Sequence, residues 1–600
     1  MSEYREPNLR ALADRSTTAH ARVIAATPLA AAVVAATTGV PTLEVGGVLL
    51  HSRHDPIGEA TRWAVTQRDR LDAGADTVVV LGFGLGYHIE ALAAVWAGRI
   101  VVVEPDADLL ATAFGARDLR ALLARVELVP ESIGSDTIDG WGRVAVAVHA
   151  PSLLREGGAL RSLKERITGR TALRDLRLRI LVISPLTGGS YPLTGYCARA
   201  LAELGHAVTV LDTSPFASAL GGIGGFTPKK AVQKNIGEAF ANFLGTGVLA
   251  AVEHHDPDLV LGMAQAPLSA AVLRELGRRG TVRAMWFVED HRLFGYWKDV
   301  IAEYDHFFTI QPGEFLTTAS QATAGQVAYL PCAADPAVHR PFPLCAEERT
   351  ELGSPVGFLG AGYHNRRIAF RSLLDLGLKL WGTQWKGSGP LEGAVQRGGA
   401  RITTDDMVRI FNATDVNLNL HSSTYVDGVD PRGDFVNPRT FELAACGAFQ
   451  LVDQRALLPS LLRPGSEVAT FTDAAELRPL VEHWLAHPDE RAAIAAAGRA
   501  RVLAEHTYRH RMEMLLEAIC ARDADRLRAR SRGETVADVA SACADTPLGQ
   551  FLGELQPAMP FSLDGVAAGL LQRPGRLSDP EAILLFLREL DGMYVAEHRT

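Results

Sequence analysis

The chain has 600 residues, with 60 Lys and Arg against 69 Asp and Glu (net charge −9), 47% hydrophobic and 22% charged residues. That is the balance of a folded chain of roughly three or four domains, with no basic footprint for nucleic acid. The six Cys lack C-x-x-C spacing, which points to neither a zinc site nor a disulfide framework and leads us to expect a reducing cytoplasm.

In chain order, the N-terminus mixes Glu3, Arg5, Glu6 and Arg10 before any apolar run, unlike a signal peptide. The Ala/Val-rich stretch 27–50 is broken by Pro28, Gly39, Pro41 and Glu44, so no transmembrane segment is expected. Three times an apolar β-run then ends in a glycine-containing loop followed by a helical pattern: TVVVLGFGLGYHIEALAAV at 77–95, RILVISPLTGGSYPLTGYCARALAELG at 179–205, and VGFLGAGYHNRRIAFRSLLDLG at 356–377. Continuous runs of this kind suit strands buried on both faces of a parallel sheet. The expected fold class is therefore α/β, with three consecutive Rossmann-like domains over 1–175, 176–345 and 346–525, and a helical C-terminal extension over 526–600.

In the first domain, Gly82, Gly84 and Gly86 precede Glu104, which ends the next strand; this spacing fits a nucleotide or S-adenosylmethionine pocket with the acid on ribose hydroxyls. No catalytic motif of a methyltransferase follows in AVAVHAPSLL at 145–154. In the second domain, Gly188 and Gly189 fall where ligands meet open α/β sheets. GGIGGF at 221–226 reads equally as a mobile acceptor lip or a plain loop. Glu289, Asp290 and His291 follow a buried strand in WFVEDHRLFGYW, as a base for an acceptor hydroxyl or as an ion pair with Arg292 or Lys298. LPCAADPAVHRPFPL at 330–344 is the linker to the third sheet.

In the third domain, Gly360 and Gly362 permit a tight turn and close approach of backbone to phosphate, and one of Arg366 and Arg367 is expected to point inward at a diphosphate. The polar loop 421–442 carries Asp427, Asp430 and Asp434, without the tight D-x-D of a manganese-dependent sugar transferase, so no metal is expected. It enters NPRTFELAACGAFQLVD at 437–453. Asn437 caps a helix, Pro438 fits its first turn, and the unpaired N–H groups there suit an anion. Glu442 lies one turn inside on an apolar element, where a ribose diol is a plausible partner.

The pieces VGFLGAGYHNRR, NPRTFELAACGAFQLVD, PGSEVATFTD and HPDERAAIAAAGRARVLAEHTYRHRM make 356–512 resemble the C-terminal half of the two-domain (GT-B) glycosyltransferases, in particular the spore-maturation CgeB-like group. The resemblance implies a second domain for the acceptor and a third for a UDP- or GDP-sugar. It assigns Arg439 and Thr440 to the diphosphate, and Asp434 and Glu442, eight positions apart, to the sugar and the ribose of a retaining, metal-independent enzyme. It also implies that the helix ending near 525 crosses back to the middle domain. HSRHDPIGEATRW at 51–63 with the first glycine loop resembles the Maf-type flagellin-modification proteins, which leans the unknown acceptor towards protein or surface glycan. A methyltransferase using the first domain and a non-catalytic scaffold are the alternatives.

Overall fold

The structure is a computed structural model, and it describes residues 3–29, 32–71, 74–129, 133–424, 426–430, 432–531, 536–555, 561, 563–572 and 575–597. It divides into two compact units, Met1–Leu176 with Leu516–Ala524, and Arg177–Leu515 with Asp525–Thr600.

The first unit opens with two helices, Arg5–Ala13 and Thr17–Ala25, followed by a three-stranded antiparallel meander, β1 (Val33–Ala35), β2 (Pro41–Val45) and β3 (Val48–Leu49). The interrupting Pro and Gly residues of 27–50 are thus turn and strand-edge residues. The parallel sheet that follows contains β4 (Thr77–Leu81), β5 (Arg99–Val103), β6 (Glu127–Val129) and β7 (Val144–Val148), in the order β6-β5-β4-β7. All five residues of β4 are buried, as its unbroken Val run demands of a central parallel strand. Because β5 and β7 flank β4, the topological switch point lies at the loops after β4 and β7. Glu517 from the helix Tyr508–Ser531 completes this unit, accepting a hydrogen bond from Ser135 at 3.0 Å.

The second unit holds two parallel sheets. One runs β13-β12-β11-β10-β8-β9 and contains β8 (Arg179–Ile183), β9 (Ala207–Leu211), β10 (Leu259–Met263), β11 (Val282–Phe287), β12 (His306–Thr309) and β13 (Gln326–Tyr329). The other runs β15-β14-β16-β17-β18 and contains β14 (Ser354–Leu359), β15 (Leu378–Trp381), β16 (Thr414–Asn419), β17 (Gln450–Asp453) and β18 (Ala469–Phe471). The α/β class with repeated parallel sheets is as the alternating pattern requires. The segment 221–226 is neither a lip nor a loop; it ends a helix, Ala217–Phe226, that buries none of its residues. Four glycines do not prevent that helix, because it packs against the 26-residue helix Lys230–His255.

The helix Tyr508–Ser531 also serves the second unit. Buried Tyr508 packs against Tyr196 and Trp286, and further along Arg526 donates to the carbonyls of Gly280 and Thr281 at 3.0 and 2.8 Å. Four more described helices follow it, Val536–Ala542, Pro547–Gly553, Leu563–Gln572 and Asp579–Glu597. No described helix is long and apolar enough to cross a membrane.

Candidate functional site

The helix Pro438–Ala445 is built as its sequence dictates. Asn437 Oδ1 accepts from Thr440 N–H at 3.1 Å, Pro438 occupies the first turn, and Gly447 ends the helical run with φ +67. The helix head is then anchored from the sheet below. Asn437 Nδ2 donates to Asn419 Oδ1 at 2.9 Å, Asn419 Nδ2 donates to Thr440 Oγ1 at 2.9 Å, and Gln450 Nε2 donates to the Thr440 carbonyl at 2.7 Å. The backbone N–H of Asn437 itself donates to His421 Nε2 at 2.9 Å.

His421 is held in turn by Asp453 at 2.6 Å, and Asp453 by Arg455 at 2.6 Å, all three buried. Burial pushes the His421 imidazole down to about 4 despite the opposing pull of Asp453, so the ring is neutral at pH 7. Its Nδ1–H then faces the carboxylate and its Nε2 lone pair faces Asn437. Burial would raise the Asp453 carboxyl, but His421 and Arg455 outweigh it and hold the group well below the usual carboxylate range. The chemistry of the helix head is therefore fixed by strand-end side chains at 419, 421, 450 and 453. Asn417 and Asn419, polar and buried at period-2 spacing beside Val416 and Leu418, were the available sequence signal for this ladder.

Arg366 lies inward, buried, and donates to the carbonyls of Leu420 and Ala361 at 2.8 and 2.9 Å. Its guanidinium lies 4.8 Å from the Phe358 ring centroid and 5.3 Å from that of Tyr363. Among the described residues no carboxylate comes within ion-pair distance of it. Burial lowers its pKa to about 10, which still leaves it charged at pH 7. Its charge is met, among the described residues, only by carbonyls, aromatic faces and the more distant Asp453. Arg367 is only half-buried and likewise donates to two carbonyls, those of Gly362 and Gln384. The backbone N–H groups of Gly360 and Gly362 are likewise taken, by the carbonyls of Trp381 and Thr383, both at 2.9 Å. These glycines serve close packing: a Cβ at Gly362 would lie 2.5 Å from the Gln384 carbonyl oxygen.

Glu442 is buried and faces Tyr196 of the helix Tyr191–Glu203 and His339. Burial raises the Tyr196 hydroxyl, with the Glu442 charge adding to the effect, and His339 Nε2 is 3.9 Å from Glu442. Without a ligand its partner is Arg439, at 2.9 Å, whose guanidinium also lies over the Phe411 ring. The carboxylate and the arginine expected to bind separate parts of a donor are thus paired with each other, because neutralisation is required at this depth. Thr440 is fully buried and uses its hydroxyl within the helix-head ladder.

Asp434 reaches the strand ends of the second sheet. Arg292 grips it with both terminal nitrogens at 3.1 and 3.0 Å, and Gln311 Nε2 donates at 2.8 Å. Burial would raise the Asp434 carboxyl, but those two partners win and hold it below the usual range. Gln311, which sequence reasoning missed, is a junction. Its Nε2 also donates to Asp290 at 3.2 Å, and its Oε1 accepts from the His291 backbone N–H at 2.9 Å and faces His291 Nδ1 at 3.1 Å. Polar residues at the C-terminal end of a buried strand were its only signal. Asp290 is buried and lies 3.5 Å from Arg292, while Glu289 is bonded by Tyr296 at 3.0 Å and by Gln265. Burial raises the Glu289 carboxyl. His291 stacks on Phe315 with ring centroids 4.2 Å apart.

Gly188 has φ +107, and its carbonyl accepts from Arg401 of the third sheet's domain at 2.7 Å; Gly189 beside it has open space around its Cα. Of the loop aspartates, Asp427 pairs with His364 at 2.8 Å and Asp430 accepts from Arg432 N–H at 2.9 Å.

The glycine loop of the first unit is occupied by its own side chains. Phe83 N–H donates to Glu104 at 2.8 Å, Leu85 N–H donates to His51 Nε2 at 2.8 Å, and Gly86 caps the helix Tyr87–Val95 from the left-handed region. Glu104 also accepts from Asp106 N–H at 3.1 Å, and burial pushes its carboxyl up to about 7. The expected nucleotide cradle is closed by these bonds: two of its amides are spent, and Glu104 is 1% exposed.

Residues 366–517 match the family model described as Glycosyl transferase-like, and residues 57–132 match that of the Glycosyltransferase Maf N-terminal domain. Spore protein CgeB of Bacillus subtilis (strain 168) is 24% identical over 270 residues, which cover 43% of this chain and 82% of that protein. Among solved structures, sucrose-phosphate synthase from Thermosynechococcus elongatus aligns at 14% identity and a TM-score of 0.40, covering 56% of this chain and 96% of its own. Anabaena HepE in complex with UDP and glucose aligns at 14% and 0.40, covering 57% and 99%. The chain carries a glycosyltransferase domain behind a Maf-like N-terminal region, as the motif resemblances imply.

Proposed function

We propose that this glycosyltransferase moves a sugar from a nucleoside diphosphate sugar, held on the third sheet, to a hydroxyl of an acceptor held on the second. The observation that carries this reading is Arg366, a buried guanidinium without an ion-pair partner among the described residues, bonded to the Leu420 carbonyl; the next residue, His421, accepts the Asn437 N–H at the head of the helix that bears Glu442. A diphosphate supplies the missing anion, and Arg366 with the helix head supplies positive charge to the departing diphosphate, which supports a reaction without a metal. On donor binding Glu442 exchanges Arg439 for the ribose hydroxyls, and Arg439 turns to phosphate. Asp434, eight residues earlier, meets the sugar; retention of configuration is the outcome that this pair supports by analogy with related enzymes.

The acceptor side is best served by His291. With its Nδ1–H turned to Gln311, its Nε2 lone pair is left to accept a hydroxyl proton. A glycan or protein side chain fits this chemistry equally well.

The first test is calorimetry of UDP, GDP and their sugars. Glu442→Gln is expected to weaken nucleoside diphosphate binding by about 2 kcal/mol, roughly thirtyfold. Unchanged affinity would remove Glu442 from the donor site. His291→Asn is expected to leave donor affinity intact while lowering kcat about a hundredfold, the lower end of general-base effects. A variant that transfers sugar at the wild-type rate rules out His291 as the base.

A further inference from the structure

The first unit contains a second constellation that sugar transfer does not use. His51 follows β3, His88 lies in the first turn of the helix after the β4 loop, and His149 follows β7 directly. They are separated by dozens of positions, yet the switch point of the sheet brings them together, and they are 2%, 1% and 4% exposed. One nitrogen from each lies within 4.8 Å of those of the other two. The rings of His88 and His149 are stacked at 3.9 Å, and His51 is 5.1 Å from His149 and 5.7 Å from His88, centroid to centroid.

Each ring is neutral, because burial disfavours the charged form; His88 is pushed down to about 4, and His51 and His149 are also driven low. Neutral imidazoles offer lone pairs. His88 donates through Nε2 to the Gly82 carbonyl at 3.0 Å, which leaves its buried Nδ1 without a hydrogen-bond partner among the described residues. No carboxylate belongs to the cluster, since Glu104 is spent on the Phe83 and Asp106 amides. The glycine loop makes room for it: a Cβ at Gly84 would lie 2.5 Å from His51 Nε2, and one at Gly82 would collide with Ser152 beside His149. The glycines that resemble a nucleotide fingerprint admit imidazoles instead.

We propose that His51, His88 and His149 form a binding site for a borderline divalent cation of the zinc class. Three neutral imidazoles match the ligand preference of such ions and leave a fourth position for water or a small anion. Zinc–nitrogen bonds of about 2.0–2.1 Å in a tetrahedron place donors about 3.3 Å apart. Binding therefore turns one ring out of the His88–His149 stack and draws the donors together. His88 gives its orphaned Nδ1. His51 exchanges the Leu85 N–H for the ion, and His149 exchanges its bond with Ser152, at 2.7 Å.

The test uses the full chain, stripped with chelator and titrated with ZnCl2 and CoCl2, with bound metal counted after desalting. About one tightly held ion per chain is expected, with a four-coordinate cobalt spectrum. His88→Ala abolishes it, whereas the double variant His483→Ala, His487→Ala, which removes a pair outside the core with ring centroids 4.1 Å apart, keeps it. Binding that survives His88→Ala, binding that disappears with His483 and His487, a purely six-coordinate cobalt spectrum, or no binding overturns the proposal. If His88→Ala does not fold, the stoichiometry and cobalt spectrum of the wild type and of the double variant decide it.

Discussion

Arg366→Met is expected to abolish nucleoside diphosphate binding while leaving the free chain as stable as before. The two halves of this expectation come from one observation. The guanidinium is buried and charged, and no acid among the described residues lies within ion-pair distance; its own contacts are two carbonyls and two aromatic faces. Met fills the same stem volume against Phe358 and Tyr363, and the removal of a buried charge offsets the loss of its two carbonyl hydrogen bonds, so the melting temperature is expected to stay level. Binding loses two charge-assisted hydrogen bonds to phosphate, about 3 to 5 kcal/mol, or roughly 150- to 5,000-fold in Kd. Arg367→Met is the control, since that side chain is half-buried and its charge is open to solvent; its affinity should remain near wild type. Equal affinities for wild type and Arg366→Met, measured by calorimetry, would end the assignment of the donor site to this arginine.

The second large effect is acid lability of the second unit. His206, His421 and His506 are each pushed down to about 4, in every case chiefly by burial. Their unfolded value is about 6.5. Between those limits the unfolded chain binds protons that the folded unit refuses, so this part of the stability is complete above pH 6.5 and is lost as the pH falls towards 4. Three such groups give a slope of about 3 to 4 kcal/mol per pH unit near pH 5. Glu289 works in the opposite sense, because burial raises its carboxyl and favours protonation in the folded state, and it trims the slope by up to one proton. Asp453, held below the usual carboxylate range, extends the loss at still lower pH. Urea midpoints read from the fluorescence of Trp286, Trp297, Trp381, Trp385 and Trp484 should fall steeply from pH 6.5 to 5, and His421→Asn should flatten that fall by about one proton's worth. Identical midpoints at the two pH values would contradict the buried, neutral state of these rings.

The alternation of apolar runs, glycine turns and amphipathic stretches was enough to determine the α/β class, the number of parallel sheets and the helix carrying Glu442. These depend on local periodicity and capping, which a linear chain displays directly: β4 reads as a buried strand because it is an unbroken Val run, and Asn437-Pro438 reads as a helix start because of what those two residues can and cannot bond. Similarity to transferases was legible for the same reason, in the short contiguous motifs at 437–453, 464–473 and 487–512. Tertiary structure alone decided how the side chains are spent. Only packing shows that Arg366 rather than Arg367 is buried, that Arg439 neutralises Glu442, that Gln311 joins Asp434 to Asp290 and His291, and that the first glycine loop closes on Glu104 and three imidazoles. Each of these depends on distance between residues far apart in the chain, and on burial, which determines whether a charge must find a partner or a ring must stay neutral.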